Sequence, residues 1–355
     1  MRVLESDNMA FEVSPLMESS FERMLVENFS SANIAILVDE NTHNYCLDYL
    51  LTSFNSLSKA EVILLPAGEE NKIIEVCIQV WEALAEYQFE KKDLLINLGG
   101  GLVSDLGGFI ASTYKRGISY INIPTSLLAM VDAGIGGKTG IDLGNYKNLI
   151  GTIFFPVYTY VDNHFLRTLP DKELKNGYAE MLKHALISEV ELWHILVKID
   201  SLNQLINTEA IKQSIVIKQT IVSKDPLENG PRKLLNFGHT IGHGIEGYLL
   251  NKNPVSHGHA VALGMIGESY LSYKLNFLSN TEFNQIKDQL LKIYELPKMP
   301  TSAINEIMKI IKQDKKNKLN KINFTLLEAI GKASIDNFLE EEMVEESLNY
   351  LFNLK

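Results

Sequence analysis

Cysteine is scarce in this chain, long apolar runs are missing, and basic residues are outnumbered by acidic ones. Cys46 and Cys77 are the two cysteines, which is too few for a disulfide framework, and they form no C-x-x-C metal site. No apolar stretch has the length of a membrane span, and the first residues lack the apolar core of a signal peptide. We therefore expect a protein of a reducing, cytoplasmic compartment without a membrane partner.

The charge balance argues against nucleic-acid binding. The chain has 33 Lys and Arg residues against 44 Asp and Glu residues, and its formal net charge is −11. This balance repels nucleic acid and acidic membranes, so a local cluster of basic residues is more informative here than in a basic protein. The length of 355 residues and the hydrophobic content of 46% favour two globular domains, each with its own core.

The two halves of the chain differ in pattern. In the first half, short apolar runs alternate with helical patterns, which predicts βαβ units around a parallel sheet. After about residue 171 helical periodicity dominates, with one hairpin predicted at 320–333. We predict an α/β domain over 1–170 and a mostly α-helical domain over 171–355, with a ligand in the cleft between them. The predicted strands are 34–39, 61–66, 94–99, 119–124 and 159–162, and the predicted helices are 72–87, 103–114, 172–187, 203–224, 235–249, 258–275, 283–293 and 301–313.

A glycine-rich turn follows the predicted strand in LLINLGGGLVSDLGG. Gly99 and Gly101 fit the pattern G-x-G-x-x-G, and Ser104 stands at its third glycine position. Such a turn lets backbone N–H groups approach a diphosphate at a helix N-terminus. A purely structural tight turn would use the same glycines, so this motif alone leaves both explanations open. Asp39 and Asn41, after an earlier strand, likewise fit either a ribose contact or an Asx helix cap.

One glutamate and several histidines are candidate metal ligands. His239 and His243 are four residues apart in a predicted helix, so both point to one face. Together with Glu180, His257 and His259, they can supply the Glu, His, His set with an open position that is typical of catalytic zinc sites. Such an ion polarises a hydroxyl or carbonyl oxygen. A lone histidine pair at this spacing is more often structural, but the second histidine cluster in SHGHAV favours a metal.

Several basic residues lie beside glycines or on apolar helical faces. Each of them alone fits a solvated surface residue, and Lys183 could form an ordinary ion pair with Glu180, three residues earlier. As a set they predict a binding site for a phosphate and a carboxylate on one small substrate, with arginine available for bidentate contacts. The set comprises Arg116, Lys138, Lys147, Lys183, Lys218 and Arg232.

These motifs resemble those of the 3-dehydroquinate synthase family, and the resemblance spans nearly the whole chain. The resemblance implies a Rossmann-like N-terminal domain that binds NAD, a helical C-terminal domain that binds Zn²⁺ or Co²⁺, and a homodimer. It implies conversion of 3-deoxy-D-arabino-heptulosonate 7-phosphate, a phosphorylated sugar acid of the shikimate pathway, to 3-dehydroquinate and phosphate. The matching segments are PAGEENK, GGGLVSDLGGFIASTYKRG, NIPTSLLAMVDAGIGGKTGID, YKNLIG, LRTLP, AEMLKHALI, ENGPRKLLNFGHTIGHGIE, HGHAVALGM and DKKNK.

The resemblance also implies roles by motif position. The implied metal ligands are Glu180, His239 and His257. The implied cofactor residues are Asp39, Asn41, Glu69, Lys72, Gly100, Gly101, Asp105, Thr125, Ser126, Lys138, Lys147, Thr168 and Leu169. The implied substrate and catalytic residues are Asp132, Lys138, Lys183, Lys218, Arg232, Asn236 and His243, the last of which we assign to proton movement. The phosphate is assigned to Lys138, Asn148 and Arg116, with Arg116 reaching in from the dimer partner, and Lys315 or Lys316 is expected to close over the substrate.

Three positions depart from the family pattern, and two other enzyme classes compete with the interpretation. His259 stands where the family usually has Glu, Ser126 where Thr is common, and the residues before KNLIG read GNY. Metal-dependent polyol dehydrogenases share the glycine turn and metal but need no phosphate cluster. Cyclases that act on sedoheptulose 7-phosphate differ mainly at carboxylate-contacting positions, where Arg232 and Asn236 favour an acid substrate. A binding module without activity would not need both the metal ligands and the basic set.

Overall fold

A computed structural model of the chain describes residues 10–144, 146–199, 201, 208–300, 302–313 and 321–354. The chain divides into two compact units. The first consists of Met1–Leu174 with Leu205–Ile215, and the second of Lys175–Gln204 with Val216–Lys355. The functional division of the chain at residue 170 stays a prediction. In the described part, no helix combines the length and apolar character needed to cross a membrane.

A parallel sheet forms the framework of the first unit. Its strands and those of a separate hairpin are β1 (Phe11–Val13), β2 (Ile34–Asp39), β3 (Glu61–Leu65), β4 (Leu94–Gly99), β5 (Ser119–Pro124), β6 (Lys138–Leu143), β7 (Tyr146–Ile153) and β8 (Tyr158–Val161). Six strands pair in the order β1-β8-β5-β4-β2-β3, and every pair in this sheet is parallel. The five predicted strands are therefore confirmed, whereas β1 and the antiparallel β6–β7 hairpin are additional to the prediction.

Helices cover the sheet because its central strands are apolar on both faces. The helices of this part are α1 (Phe21–Phe29), α2 (Glu40–Thr42), α3 (Asp48–Ser53), α4 (Ile74–Glu86) and α5 (Gly101–Thr113). Leu37 of β2 and Leu95 of β4 share one buried cluster with Val80 of α4 and Leu106 of α5. Burial of such a side chain stabilises the fold by about 1.5–3 kcal/mol, so this layer holds the carboxyl ends of β2 and β4 in place.

The rest of the described chain is mostly helical, as predicted. It contains α6 (Asp171–Ser188), α7 (Val190–Leu196), α8 (Thr208–Lys224), α9 (His239–Leu249), α10 (His257–Lys274), α11 (Asn280–Leu291), α12 (Ala303–Lys312), β9 (Ile322–Ala329), β10 (Lys332–Leu339) and α13 (Glu341–Phe352). The predicted hairpin is confirmed as the antiparallel pair β9–β10, which extends beyond residue 333. Helix α9 begins later than predicted because residues 231–236 form a 3₁₀ turn and Gly238 has a φ of +80°.

Candidate functional site

The predicted nucleotide residues lie where strands of the first unit end. The strand order reverses between β2 and β4, because β3 lies beyond β2 while β5 lies beyond β4. In open parallel sheets, ligands bind outside the carboxyl ends of the strands at such a switch point. Asp39 ends β2, Gly100 and Gly101 follow β4, and Thr125 and Ser126 follow β5. These residues therefore stand at neighbouring strand ends, and a Cβ added at Gly100 would lie 3.3 Å from Ser126 Oγ.

Asp39 also caps the helix that follows β2. Its Oδ1 accepts the N–H of Thr42 at 2.7 Å, and its own N–H donates to Thr42 Oγ1 at 2.9 Å, which makes a reciprocal capping box. The Asx cap that the sequence left open is thus present. Asn41 lies in the same short helix and is exposed. Contacts of Asp39 and Asn41 with NAD stay a prediction.

Lys72, Glu69 and Asp105 form a charge cluster near the start of α5. Lys72 is 2% exposed, and its Nζ lies 2.6 Å from Asp105 Oδ2 and 3.5 Å from Glu69 Oε1. Burial would lower the pKa of Lys72, but Asp105 and Glu69 raise it above its ordinary value. The structure thus brings three predicted NAD residues together, and the two carboxylates fix the positive charge of Lys72 between them.

Lys138, Lys147 and Asn148 lie on the β6–β7 hairpin. All three are exposed, and Lys138 pairs with Ile153 across the hairpin. Asn148 has a φ of +51°, and its N–H donates to Asp142 Oδ1 at 2.7 Å. A positive φ is uncommon for residues other than glycine, and Asn is among those that tolerate it. The hairpin therefore presents two lysines and an amide to solvent, although it was not predicted as a hairpin.

Four other predicted residues of the first unit are spread over separate turns. Arg116 is exposed and has a φ of +64° at the end of the turn after α5. Asp132 is half-buried in the helical turn that follows β5. Thr168 is exposed and Leu169 half-buried in the segment after β8. Their roles stay predictions.

Glu180 and two histidines of the second unit meet at one point. Glu180 in α6 is fully buried, and its Oε1 lies 3.6 Å from Nε2 of His257 and 3.8 Å from Nε2 of His239. Its Oε2 pairs with Nζ of Lys183, one turn further along α6. Within the described residues, neither carboxylate oxygen has a hydrogen-bond donor in good geometry. The three implied ligands are therefore adjacent, and the buried carboxylate faces the ammonium group of Lys183 and the two imidazole rings.

The protonation of these groups follows from burial and from the charges around them. Burial would raise the pKa of Glu180, but Lys183 and the nearby imidazoles hold it well below its ordinary value. Burial and the charge of Lys183 lower the pKa of His239, so this ring stays neutral near pH 7. Burial would also lower the pKa of His257, but Glu180 and Glu246 raise it to about 10. A proton on His257 thus partly balances Glu180, and a bound cation would displace it.

Glycines bring the helices with the candidate ligands into backbone contact. A Cβ added at Gly258, next to His257, would lie 2.0 Å from the carbonyl oxygen of Asn176 in α6. A Cβ added at Gly264 in α10 would lie 1.9 Å from the carbonyl oxygen of Gly238, just before α9. Real Cβ atoms do not come so close to backbone atoms, so α6, α9 and α10 can adopt this packing only with glycine at these positions.

His243 lies beside the candidate ligands His239 and His257, whereas His259 does not. The ring centroid of His243 is 5.1 Å from that of His239 and 5.8 Å from that of His257. One nitrogen from each of these three rings lies within 4.8 Å of the others, so His243 offers an alternative to Glu180 as third ligand. His259 instead has its Nε2 2.7 Å from the carbonyl oxygen of Glu295.

Glu246 contacts a candidate ligand and was not among the predicted site residues. Its Oε2 lies 3.3 Å from Nδ1 of His257. A carboxylate at this position fixes the tautomer of a ligating imidazole and leaves the opposite ring nitrogen for the metal. The available signal was its spacing, because Glu246 lies seven residues after His239 and so occupies the same face of α9.

Three of the predicted substrate cations are buried. Lys183, Lys218 and Arg232 are 1%, 6% and 2% exposed, so the surface explanation is wrong for them, whereas Arg116, Lys138 and Lys147 are exposed. Arg232 Nη1 donates to the carbonyl oxygen of Pro226 at 2.7 Å. Asn236 Nδ2 donates to Glu228 Oε1 at 2.8 Å in the same loop. Lys315 and Lys316 lie outside the described residues.

Family comparisons identify the relatives of this chain. The family model described as 3-dehydroquinate synthase N-terminal matches residues 62–176, and the one described as 3-dehydroquinate synthase C-terminal matches residues 177–317. The chain belongs to the 3-dehydroquinate synthase family. A 3-dehydroquinate synthase of Parabacteroides distasonis is 40% identical over 318 residues, which cover 89% of this chain and 90% of that protein. The chain is therefore an enzyme of this family, which acts on a phosphorylated sugar.

Solved structures share the fold of this family member. A 2-deoxy-scyllo-inosose synthase, complexed with carbaglucose-6-phosphate, NAD⁺ and Co²⁺, matches with a TM-score of 0.82 and 24% identity over 96% of both chains. A 2-epi-5-epi-valiolone synthase from Streptomyces hygroscopicus, with NAD⁺ and Zn²⁺ bound, matches with a TM-score of 0.81 and 24% identity, covering 97% of this chain and 96% of its own. These likenesses confirm the predicted fold class.

The residues of the second unit fit a divalent metal ion. The donor set offers a carboxylate oxygen and two imidazole nitrogens, which are the ligand types of Zn²⁺ and related ions. Glu180 is charged and buried without hydrogen-bond donors in good geometry among the described residues, an arrangement that a cation would stabilise. The glycine turn at the switch point suits a dinucleotide, because Gly100 and Gly101 place no side chain at the N-terminus of α5.

Proposed function

We propose that this chain converts 3-deoxy-D-arabino-heptulosonate 7-phosphate to 3-dehydroquinate and phosphate, as a carbon–oxygen lyase that uses catalytic NAD and Zn²⁺ or Co²⁺. Membership of the family over most of the chain supports the reaction. The observation that carries the metal assignment is the meeting of Glu180, His239 and His257 around one buried carboxylate oxygen. The cofactors bound by the two solved relatives support the choice of NAD and metal.

The residues described above would hold both NAD and the metal ion. When bound, NAD would accept and return a hydride, and the metal ion would polarise the reacting oxygen. Gly100 and Gly101 would face the diphosphate, and Lys72 would supply a fixed positive charge near it. His239 is held with Nδ1 3.1 Å from the carbonyl oxygen of Phe237, so that Nδ1 donates and Nε2 is left for the ion.

Buried cations would bind the acidic end of the substrate. Lys183, Lys218 and Arg232 are withdrawn from water, and a positive charge in a low-dielectric region attracts an anion more strongly than a solvated one. Asp225 holds the loop of Arg232 by accepting the N–H groups of residues 229, 230 and 232 at 3.0, 2.6 and 3.1 Å. The planar guanidinium of Arg232 suits a carboxylate, which supports an acid substrate.

Exposed residues would bind the phosphate and transfer protons. Lys138 and Asn148 on the β6–β7 hairpin, with Arg116 from the dimer partner, would bind the phosphate as it leaves. His243 is exposed and adjacent to His239 and His257, so its ring could pass protons between solvent and substrate. The residues that bind the phosphate would lower the activation barrier of its release, because they present positive charge where negative charge develops on the substrate.

An assay of phosphate release tests the proposal. Protein, catalytic NAD, Zn²⁺ or Co²⁺ and the heptulosonate phosphate should release phosphate without accumulation of NADH. Lys138→Ala with Arg116→Ala should abolish release while the circular dichroism spectrum is unchanged. Lys115→Ala is a matched control, because Lys115 is an exposed neighbour of Arg116 that pairs with exposed Glu90 at 3.2 Å. Near-normal turnover of the double variant would refute the phosphate assignment.

The same assay separates the competing enzyme classes. Net formation of NADH would indicate a polyol dehydrogenase. Turnover of sedoheptulose 7-phosphate in place of the heptulosonate would indicate another sugar-phosphate cyclase. Turnover of the heptulosonate alone, abolished by a chelator, is the expected result.

We also propose a homodimer and a cytoplasmic location. The apolar side chains of Leu149 and Ile150 on β7 are 48% and 38% exposed, beside the phosphate-binding residues of the same hairpin, which supports a self-association surface there. Sedimentation equilibrium of wild type and of Leu149→Asp would test it, since a dimer that survives the substitution would exclude this surface. Cell fractionation tests the location.

A further inference from the structure

Glu268 is a buried carboxylate in α10 that reaches the start of α9. Its side chain is fully buried, in a stretch of helix whose other residues are nearly all buried as well. Oε2 accepts the N–H of Gly238 at 2.6 Å, and Oε1 accepts the N–H of Ile241 at 3.1 Å. These two donors lie on either side of His239 in the chain. One carboxylate therefore holds the backbone on both sides of a candidate metal ligand.

The start of α9 needs such a partner from elsewhere in the fold. The residue before the helix is Gly238, whose φ is +80° and which has no side chain to cap the first turn. The first N–H groups of a helix lack partners within it, and a carboxylate at this end is favoured by the helix dipole as well as by hydrogen bonding. Glu268 supplies from α10 the cap that the local sequence of α9 cannot.

The same helix also carries the second histidine. His257 begins α10, and Asn176 of α6 ties this end down by accepting the N–H of Gly258 at 2.6 Å. Asn176 lies one turn before Glu180 in α6. The helices that carry the three candidate ligands are thus joined in sequence, from α6 to α10 through Asn176 and from α10 to α9 through Glu268.

We propose that Glu268 is a positioning residue that holds His239 in the orientation required for metal binding. The inference rests on the proposed metal site of Glu180, His239 and His257. Glu268 is not proposed to contact the ion or the substrate, and it acts by fixing the backbone N–H groups of Gly238 and Ile241, on either side of His239. Loss of this clamp would let the first turn of α9 fray and displace Nε2 of His239 relative to Oε1 of Glu180.

Metal binding by a near-isosteric variant tests the proposal. Glu268→Gln keeps the volume but removes the charge and turns an amide NH₂ toward a backbone N–H. The affinity for Zn²⁺, measured by competition with a chromogenic chelator, should fall about 10- to 100-fold, as is typical when an outer-shell partner of a metal ligand is removed. The visible absorption of the Co²⁺-loaded protein should also change in band position or intensity. Glu268→Asp, which keeps the charge, should recover part of the affinity.

Glu282→Gln is the matched control. Glu282 accepts the N–H groups of Ser279 and Ile330 at 3.0 and 3.4 Å and caps α11, which carries no candidate ligand. This variant should lose stability without a change in Zn²⁺ affinity or Co²⁺ spectrum. If Glu268 had a purely structural role, Glu268→Gln would also lose stability but keep the wild-type Zn²⁺ affinity and Co²⁺ spectrum. That result would overturn the proposal. If Glu268→Gln does not fold, Glu268→Asp is the test, because its shorter side chain keeps the charge but cannot reach both N–H groups. Full wild-type affinity and spectrum in Glu268→Asp would then overturn the proposal.

His239→Ala separates failure of the inference from failure of the proposed site. If His239→Ala binds Zn²⁺ as tightly as wild type, the metal site itself is wrong and the inference falls with it. If His239→Ala loses the ion while Glu268→Gln binds it normally, the site stands and only the positioning role is wrong.

Discussion

Replacement of Lys183 by methionine would remove the charge that balances Glu180 in the metal-free protein. Lys183 and Glu180 are 1% and 0% exposed, and the two side chains form an ion pair within α6. Removal of one partner from a buried ion pair costs about 3–5 kcal/mol, because the other charge is left buried without compensation. We expect a loss near the lower end, about 3 kcal/mol, because His257 remains as a second positive partner 3.6 Å from Oε1.

The metal-loaded protein should respond much less to the same change. A divalent cation at Oε1 would itself neutralise Glu180, so Lys183→Met should lower the free energy of unfolding by less than half as much when Zn²⁺ is present. The measurement is urea unfolding followed by circular dichroism, with EDTA in one series and saturating Zn²⁺ in the other. Lys175→Met is the control, because Lys175 lies in the same helix with an exposed side chain, and it should change stability by less than about 0.5 kcal/mol.

Equal losses with EDTA and with Zn²⁺ would refute the reasoning, because they would show that the ion does not share the carboxylate with Lys183. No loss in either series would refute it as well, because Glu180 would then be balanced by other groups or protonated.

Three further perturbations have defined outcomes. Gly258→Ala places a methyl group 2.0 Å from the Asn176 carbonyl oxygen and should lower stability by about 1–3 kcal/mol, seen as a lower Tm in calorimetry, whereas an unchanged Tm would contradict the close helix contact. Burial raises the pKa of Cys46 and of Cys77 to about 12, so iodoacetamide followed by mass spectrometry should label both thiols in urea and neither in the folded protein at neutral pH. Although burial would raise the pKa of Asp225, three backbone N–H groups hold it below its ordinary value, so its stabilising contribution is present above that ordinary value and is lost as the pH falls through the lowered pKa. Acid unfolding should therefore show the stability difference between wild type and Asp225→Asn shrinking in that range, and a constant difference would contradict the assignment.

The strands and helices of the chain were largely predictable from local patterns. A strand buried on both faces reads as a continuous apolar run, and Ile34–Asp39 is such a run in both the sequence and the sheet. The β6–β7 hairpin was missed because β7 is exposed along most of its length and has no alternation of apolar and polar residues. The start of α9 was misplaced because helical periodicity continues through residues 235–238, while the φ of Gly238 interrupts the helix.

The candidate site was predictable only in part. Spacing placed His239 and His243 on one face of a helix, and the family resemblance selected Glu180 and His257. The burial of Lys183 and Arg232 could not be deduced from composition, because lysine and arginine are mostly exposed and neither residue has a local pattern that distinguishes it. The clamp by Glu268 joins residues about thirty positions apart and depends on glycine-mediated helix packing, which leaves no periodic signal in the chain.

The packing of α6, α9 and α10 leaves little room for the two candidate histidine ligands, His239 and His257, to move relative to each other. Backbones that touch through glycine have no intervening side chain that could change rotamer and let one helix shift against another. If an ion binds there, one of larger radius should therefore be accommodated by a shift of the Glu180 side chain, while both rings stay in place. Exchange of zinc for cadmium would then be expected to change the surroundings of the carboxylate and not the angle between the imidazoles.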